Sequence, residues 1–313
     1  MLKFLQLIRF PNLVMIALTQ FLFFYYWIVP FDDCHIKSDL FLCVMIATIF
    51  IAAGGNIIND IFDVKTDRIN KPNRMFIDTF ISKKKAYLLY SFLTFVGIGL
   101  GSYAGFAINH SWVSLIFIGI AVLLFLYSSY LKGIPLVGNS VVSALVASSL
   151  FILIAFDKGH TTRGKHLVFF KDVALIAIYI YGTFAFWINL MRELVKDIED
   201  VNGDYNAGIN TLPIILGRNR VNKIVAVLAG LMICFILYIT SAYLQGKTIT
   251  TIYVLITILL PLLYFIMKIW QADSKREYRM LSLLLKLIML FGILSTLIFY
   301  YFDPIDKLAF LLP

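Results

Sequence analysis

Charge is scarce in this chain. Only 14% of its 313 residues are Asp, Glu, Lys or Arg, against 61% that are hydrophobic, and the mean hydropathy is +0.88. Soluble domains carry roughly a quarter charged residues, so a water-soluble fold is excluded. Cysteine is nearly missing too. Cys34 falls in a loop, and Cys43 and Cys234 fall inside apolar runs. Three scattered thiols exclude a disulfide framework and a thiolate metal site. Histidine is also rare: His35, His110, His160 and His166 all fall in outer loops of the topology below, too far away to serve a site on the inner side. The period-two alternation of barrel strands is absent, which excludes a membrane β-barrel.

What is there is a series of apolar runs of about 20 residues, the length that crosses a bilayer as a helix. The chain reads as an all-α, polytopic membrane protein with nine spans, at 10–29, 39–61, 86–108, 111–131, 138–156, 172–193, 223–244, 249–270 and 280–301. The first run keeps Arg9, Pro11 and Asn12 and has no small-residue cleavage site, so it reads as a retained span. With the N-terminus inside, inner segments hold 19 Lys and Arg and outer segments 7, while Lys286 lies within the last span. The positive-inside rule then puts the N-terminus in the cytoplasm and the C-terminus outside the cell membrane. The 157–171 loop, with four positive residues, is the one outer segment that runs against the count. Basic inner loops account for the net charge of +9 without a nucleic-acid partner. The expected organisation is a single domain over 1–313, with four-helix halves at 1–135 and 136–272 before the last span.

Polar residues concentrate in two places. The second span ends in Asn56-Ile-Ile-Asn59-Asp60-Ile-Phe-Asp63-Val-Lys-Thr-Asp67-Arg68. At 100° per residue, Asn56, Asn59, Asp60, Asp63 and Asp67 share an arc of about 100°. The sixth span ends in Asn189, Arg192, Glu193, Lys196, Asp197, Asp200 and Asp204. Both spans run from outside to inside, so both clusters face one compartment. Carboxylates this close repel unless a positive charge lies among them. A divalent cation fits, and Mg²⁺ prefers one or two carboxylates plus substrate phosphate oxygens. Arg192, near the end of an apolar run with Asn189, suits an anionic group on a second substrate through its planar fork. Lys71 and Arg74, in Arg68-Ile-Asn-Lys71-Pro-Asn-Arg74, follow the first cluster directly and suit a pyrophosphate clamp. Tyr127 and Lys132 close the fourth span on the same side. A lysine there suits phosphate, and an aromatic ring suits a developing carbocation. The inner loops after spans two and six, about 24 and 29 residues in this reading, are the longest and read as lids.

These stretches resemble the UbiA-type superfamily of intramembrane prenyltransferases. Asn59-Asp60-x-x-Asp63-x-x-x-Asp67 is similar to its first Asp-rich motif, and Asp197-x-x-Asp200-x-x-x-Asp204 to its second. The likeness continues through Arg68–Arg74, Tyr127-Ser128 with Lys132, and Gly138-Asn139. It implies nine helices around a central cavity, with two Mg²⁺ binding a polyprenyl diphosphate. By position, Asn59, Asp63 and Asp67 would take one metal, and Asp200 and Asp204 the other. Lys71, Arg74 and Lys132 would hold the diphosphate, with Asn59, Asp60, Arg68, Asn189, Arg192 and Lys196 as further substrate-binding residues. Asp63, Asp67, Asp197, Asp200, Asp204 and Tyr127 are the expected catalytic group.

Within the superfamily the Asn189–Asp204 stretch looks most like the digeranylgeranylglyceryl phosphate synthases. That likeness implies transfer of a geranylgeranyl group to the hydroxyl of geranylgeranylglyceryl phosphate. Asp197 and Glu193 are both placed to take the acceptor's proton. Two other readings stay open: prenylation of an aromatic ring in quinone or pigment synthesis, and a cation-coupled transporter. Acids gathered at one membrane face, instead of mid-span, count against the transporter.

Overall fold

The computed structural model describes residues 1–29, 38–70, 75–156 and 165–302, the side chains of 165–173 excepted. The described residues are almost wholly helical. Among the described residues, eight helices are long and apolar enough to cross a membrane: Phe10–Ile28, Ser38–Phe62, Lys83–Ala107, Val137–Phe156, Ala174–Asn206, Arg218–Tyr243, Thr248–Gln271 and Lys275–Phe302. The expected fourth span is the shorter apolar helix Val113–Ser129, whose 17 residues rise about 25 Å, near the lower limit for a span. The chain is an integral membrane protein, and its expected spans coincide with these helices to within a few residues at most ends.

The sixth span differs. The sequence places its end near residue 193, before a long inner loop. Instead one helix of 42 residues runs from Lys165 to Asn206. Its apolar stripe does not end with the hydrophobic run, because Ile188, Met191, Leu194, Val195 and Ile198 are all buried. That spacing keeps one face covered past the first charged residues, so the second acidic stretch is helical. The supposed 29-residue lid shrinks to the segment around Leu212–Leu216.

Two compact units divide the chain. The first comprises Met1–Gly182 with Asn202–Asn210, and the second comprises Thr183–Val201 with the described residues from Thr211 onward.

In the first unit, α1 (Leu2–Leu7) and α2 (Phe10–Phe23) meet at Arg9, whose φ of 52° is left-handed. A π-helical turn, Phe24–Ile28, prolongs α2. α3 (Ser38–Phe62) passes into the short α4 (Val64–Asn70). α5 (Lys83–Ala107) packs closely on α3, where a Cβ at Gly97 would lie 2.7 Å from Ile51 and 3.0 Å from the Ala47 carbonyl. Small residues let membrane helices approach in this way. α5 turns Leu88, Phe92 and Phe95 outward, as a lipid-facing helix must. α6 (Val113–Ser129) and α7 (Val137–Phe151) follow, and α8 (Lys165–Asn206) opens here. Beneath the first acidic stretch, Leu7, Ile57, Ile58, Ile61, Ile77 and Ala86 form one buried apolar cluster. It anchors the side of α3 opposite its acids.

In the second unit, α9 (Leu212–Leu216) precedes α10 (Arg218–Tyr243). α11 (Thr248–Val254) and α12 (Leu260–Gln271) are joined by a π-helical turn, and α13 (Lys275–Phe302) ends the described chain. Buried Asn222 donates to the Ala272 carbonyl at 2.9 Å and to Tyr278 Oη at 3.2 Å. Tyr278 in turn donates to Ala272 at 2.6 Å. This polar knot satisfies the turn between α12 and α13 inside an apolar unit.

Candidate active site

The helical track does not break at the α3–α4 junction. Asp63 N–H donates to the Asn59 carbonyl at 2.9 Å, and Asp67 N–H to the Asp63 carbonyl at 2.8 Å. The acids therefore keep their helical spacing, but the face they share divides into two. Asn56 Nδ2 donates to the Ile8 carbonyl at 2.9 Å, and Arg9 Nη2 pairs with Asp60 Oδ1 at 3.0 Å. Those two residues are tied to the α1–α2 junction. Asn59 and Asp63 turn the other way, and both are buried.

Asn59 Nδ2 donates to Asp63 Oδ2 at 2.6 Å. The same oxygen accepts from Lys132 Nζ in an ion pair. Lys132 sits in the turn Leu131–Gly133 between α6 and α7. That turn lies against the first turn of α7, where a Cβ on Gly138 would fall 2.8 Å from the Leu131 carbonyl. Glycine at 138 is what lets the turn hold Lys132 so near α7. Burial works against the ammonium's charge, but attraction from Asp63, then from Tyr127 and Asp204, outweighs it and raises the lysine's pKa above its ordinary value. Asp204 is buried and belongs to the same unit.

The ends of the two acidic stretches meet in this unit. Gly203 N–H donates to Asn70 Oδ1 at 3.1 Å, and a Cβ on Gly203 would lie 2.3 Å from Asn70 Nδ2. Neither residue carries a role in the sequence motifs above. The available signal was a glycine inside a helix, beside an acid, which marks a close approach by another segment. Arg9, at the start of the first span, is the partner of Asp60.

Of the other expected residues in this unit, Asp67 and Tyr127 are half-buried and Arg68 is exposed. Lys71 and Arg74 lie outside the described residues. In the second unit Asn189 is buried, and Arg192, Lys196, Asp197 and Asp200 are half-buried. Lys196 reaches both oxygens of Glu193, at 2.8 and 3.0 Å, and Arg192 Nη1 reaches Glu193 Oε1 at 3.3 Å.

Among the described residues no three carboxylate, imidazole or thiol side chains converge as a ready metal cage. A cage is not what Mg²⁺ needs. It takes one or two carboxylates and completes its shell with water and phosphate oxygens. Asp63 already faces a cation, the Lys132 ammonium, and its neighbours Asn59 and Asp67 offer only hard oxygen donors. That donor set fits Mg²⁺.

Membrane helices carrying buried acids and a half-buried ammonium at the junction of two acidic motifs define a class, the intramembrane prenyltransferases. The chain belongs to the UbiA prenyltransferase family, whose profile matches residues 13–301. It is 30% identical to the digeranylgeranylglyceryl phosphate synthase of Saccharolobus solfataricus, over 95% of this chain and 96% of that protein. A solved structure concerning digeranylgeranylglyceryl phosphate synthase in membranes superposes with a TM-score of 0.64 at 25% identity, covering 95% of this chain and 96% of that one. A UbiA homologue from Archaeoglobus fulgidus, solved with GPP and Mg²⁺, gives 0.58 at 16% identity over 94% of this chain and 99% of that one. At that identity the likeness is one of fold.

Proposed function

We propose that this prenyltransferase moves a geranylgeranyl group from its diphosphate to the free hydroxyl of geranylgeranylglyceryl phosphate, releasing diphosphate, in ether-lipid synthesis. The observation that carries the reading is the part-buried Asp63–Lys132 pair, on which Asp204 of the second motif also acts. Acids that hold a cation and an ammonium that holds an anion lie side by side, as ionisation of an allylic diphosphate requires. The acceptor is supported by identity along nearly the whole length of the Saccharolobus solfataricus enzyme.

Asn59, Asp63 and Asp67 would hold one Mg²⁺, and Asp200 and Asp204 a second. Bound there, the ions neutralise the charge that builds on the departing diphosphate. Lys132 turns from Asp63 to the diphosphate as the substrate arrives, and Lys71, Arg74 and Arg68 would help to hold it. Asp60 stays tied to Arg9 and fixes the polar wall beside the donor. Tyr127 faces the allylic carbon as positive charge develops there. The apolar helix faces exclude water, which would otherwise capture the cation. Asn189, Arg192 and Lys196 orient the acceptor. Asp197 or Glu193 receives the hydroxyl proton.

We place the protein as one domain over 1–313 in the cell membrane, with its N-terminus and active site in the cytoplasm and its C-terminus outside. The test is a product assay with Mg²⁺ and geranylgeranyl diphosphate. Geranylgeranylglyceryl phosphate is set against 4-hydroxybenzoate, homogentisate and a naphthoate, with mass detection. A diether phosphate product supports the reading, and an aromatic product alone overturns the acceptor.

A further inference from the structure

The short helix α4 buries polar groups, and the mechanism above uses only some of them. It is seven residues long and carries the acidic face of α3 onward. Asp63, Thr66 and Asn70 are all buried. They follow one another at steps of three and four residues, which is one side of a helix. A buried stripe of polar side chains gains little from leaving water, so specific bonds have to hold it. At the near end of α4, Val64 packs against the apolar cluster that contains Ile58 and Ile61. At the far end Arg68 and Ile69 are exposed, while Asn70 turns inward.

Asn70 meets the last stretch of α8. Gly203 N–H donates to its Oδ1 at 3.1 Å, inside the same compact unit. The approach is close enough that a Cβ on Gly203 would collide with the Asn70 carboxamide. Asp204 follows Gly203 directly, and Asp67 lies three residues before Asn70, about 4.5 Å along the helix axis. Each motif thus has an acid within one turn of this contact. The motifs are joined a second time through Lys132, which pairs with Asp63 and is also attracted by Asp204. The two joints differ in chemistry. Phosphate oxygens compete for an ammonium, so the Lys132 joint loosens as the donor arrives. The Asn70 joint links two neutral groups and is buried, so it persists while charged ligands come and go.

We infer that Asn70 is a positioning residue for prenyl transfer, whose bond to the Gly203 backbone fixes the spacing of the two acidic motifs so that both can hold one diphosphate. The inference rests on the proposed function in taking both motifs to bind the diphosphate with Mg²⁺. Asn70 acts through Asp67 and Asp204, by keeping the ends of α4 and α8 in register. The effect on rate is large because a misplacement of about 1 Å at a reacting centre can cost about 10²-fold.

The test uses full-length protein in detergent, with Mg²⁺ and inorganic diphosphate as probes. Asn70→Ala removes the acceptor, Asn70→Asp keeps an oxygen in its place, and Gly203→Ala forces the two segments apart from the other side. Binding is read without turnover, as the Mg²⁺ concentration that gives half of the thermal stabilisation by diphosphate. Asn70→Ala and Gly203→Ala are expected to raise that midpoint about tenfold or more, while Asn70→Asp stays within about threefold of wild type. In the transfer reaction Asn70→Ala should lower kcat about 10- to 100-fold and leave the acceptor KM unchanged. Lower unfolding temperatures without ligand, together with an unmoved Mg²⁺ midpoint, overturn the inference, because a residue that serves stability alone behaves that way. A midpoint raised as far in Asn70→Asp as in Asn70→Ala also overturns it, since the Oδ1 bond would then not be the cause. A wild type that Mg²⁺ and diphosphate fail to stabilise removes the metal reading and the inference together, whereas a stabilised wild type with unmoved variants removes the inference alone.

Discussion

The backbone N–H of Gly203 donates to Asn70 Oδ1 at 3.1 Å across 133 residues of chain. Asn70 closes the helix that carries Asp67, and Gly203 immediately precedes Asp204. One buried hydrogen bond thus ties the far end of the first acidic motif to the far end of the second. The contact admits no larger residue, since a Cβ on Gly203 would lie 2.3 Å from Asn70 Nδ2. Gly203→Ala is expected to cost about 1–3 kcal/mol through overpacking, and Asn70→Ala about 1 kcal/mol through the lost bond. The double variant should lose less than the sum, because alanine at 70 makes room for alanine at 203. Thermal unfolding of the three variants in detergent measures this, and strict additivity would show that the two positions are not coupled.

Lys132 is the cation on which Asp63 and Asp204 both act. Lys132→Met is expected to lower kcat about 10²- to 10³-fold, the range for losing one group that stabilises a developing anion. The pair also carries a pH signature. Its folded pKa is raised, so its stabilisation is complete below the ordinary lysine value of about 10.4 and is lost only above it, as pH passes the higher folded value. The Tm difference between wild type and Lys132→Met should therefore stay constant from pH 7 to about pH 9.

Removal of divalent cations should abolish diphosphate release, and Mg²⁺ should restore it. Asp67→Asn and Asp200→Asn are expected to raise the Mg²⁺ concentration for half-maximal rate about tenfold or more. Asp63→Asn combined with Asp200→Asn should release no diphosphate above background. Persistent release by that double variant would remove these acids from the metal site.

Arg9 combines an ion pair to Asp60 with a left-handed backbone at φ 52°. Arg9→Ala loses the pair and keeps the unfavourable backbone, whereas Arg9→Gly loses only the pair. Glycine should therefore be the more stable of the two by about 1 kcal/mol. Comparing their unfolding temperatures checks this, and an alanine variant as stable as the glycine one would show that the backbone strain is absent.

Orientation is tested by single cysteines in a background lacking the native three. Lys84 and Gln245 are both exposed, at opposite ends of their spans. With the N-terminus inside, Lys84→Cys should react with an impermeant maleimide only in inverted vesicles. Gln245→Cys should react only in right-side-out ones. The reverse pattern would turn the topology over.

Much of this protein was legible in its residues alone. The apolar runs determine a bundle of membrane helices, because each lipid-facing backbone must satisfy its own hydrogen bonds. The spacing of Asn59, Asp63 and Asp67 determines a shared helical face, because 3.6 residues make a turn. The reach of α8 past residue 193 was not legible: its charges suggested a loop, while buried Leu194, Val195 and Ile198 kept it helical. Only tertiary structure decided which acid meets which base. Asp60 went to Arg9, Asp63 to Lys132, and Gly203 to Asn70. Those choices depend on how helices 51 to 133 residues apart in the chain pack, and helical periodicity carries no information about packing partners.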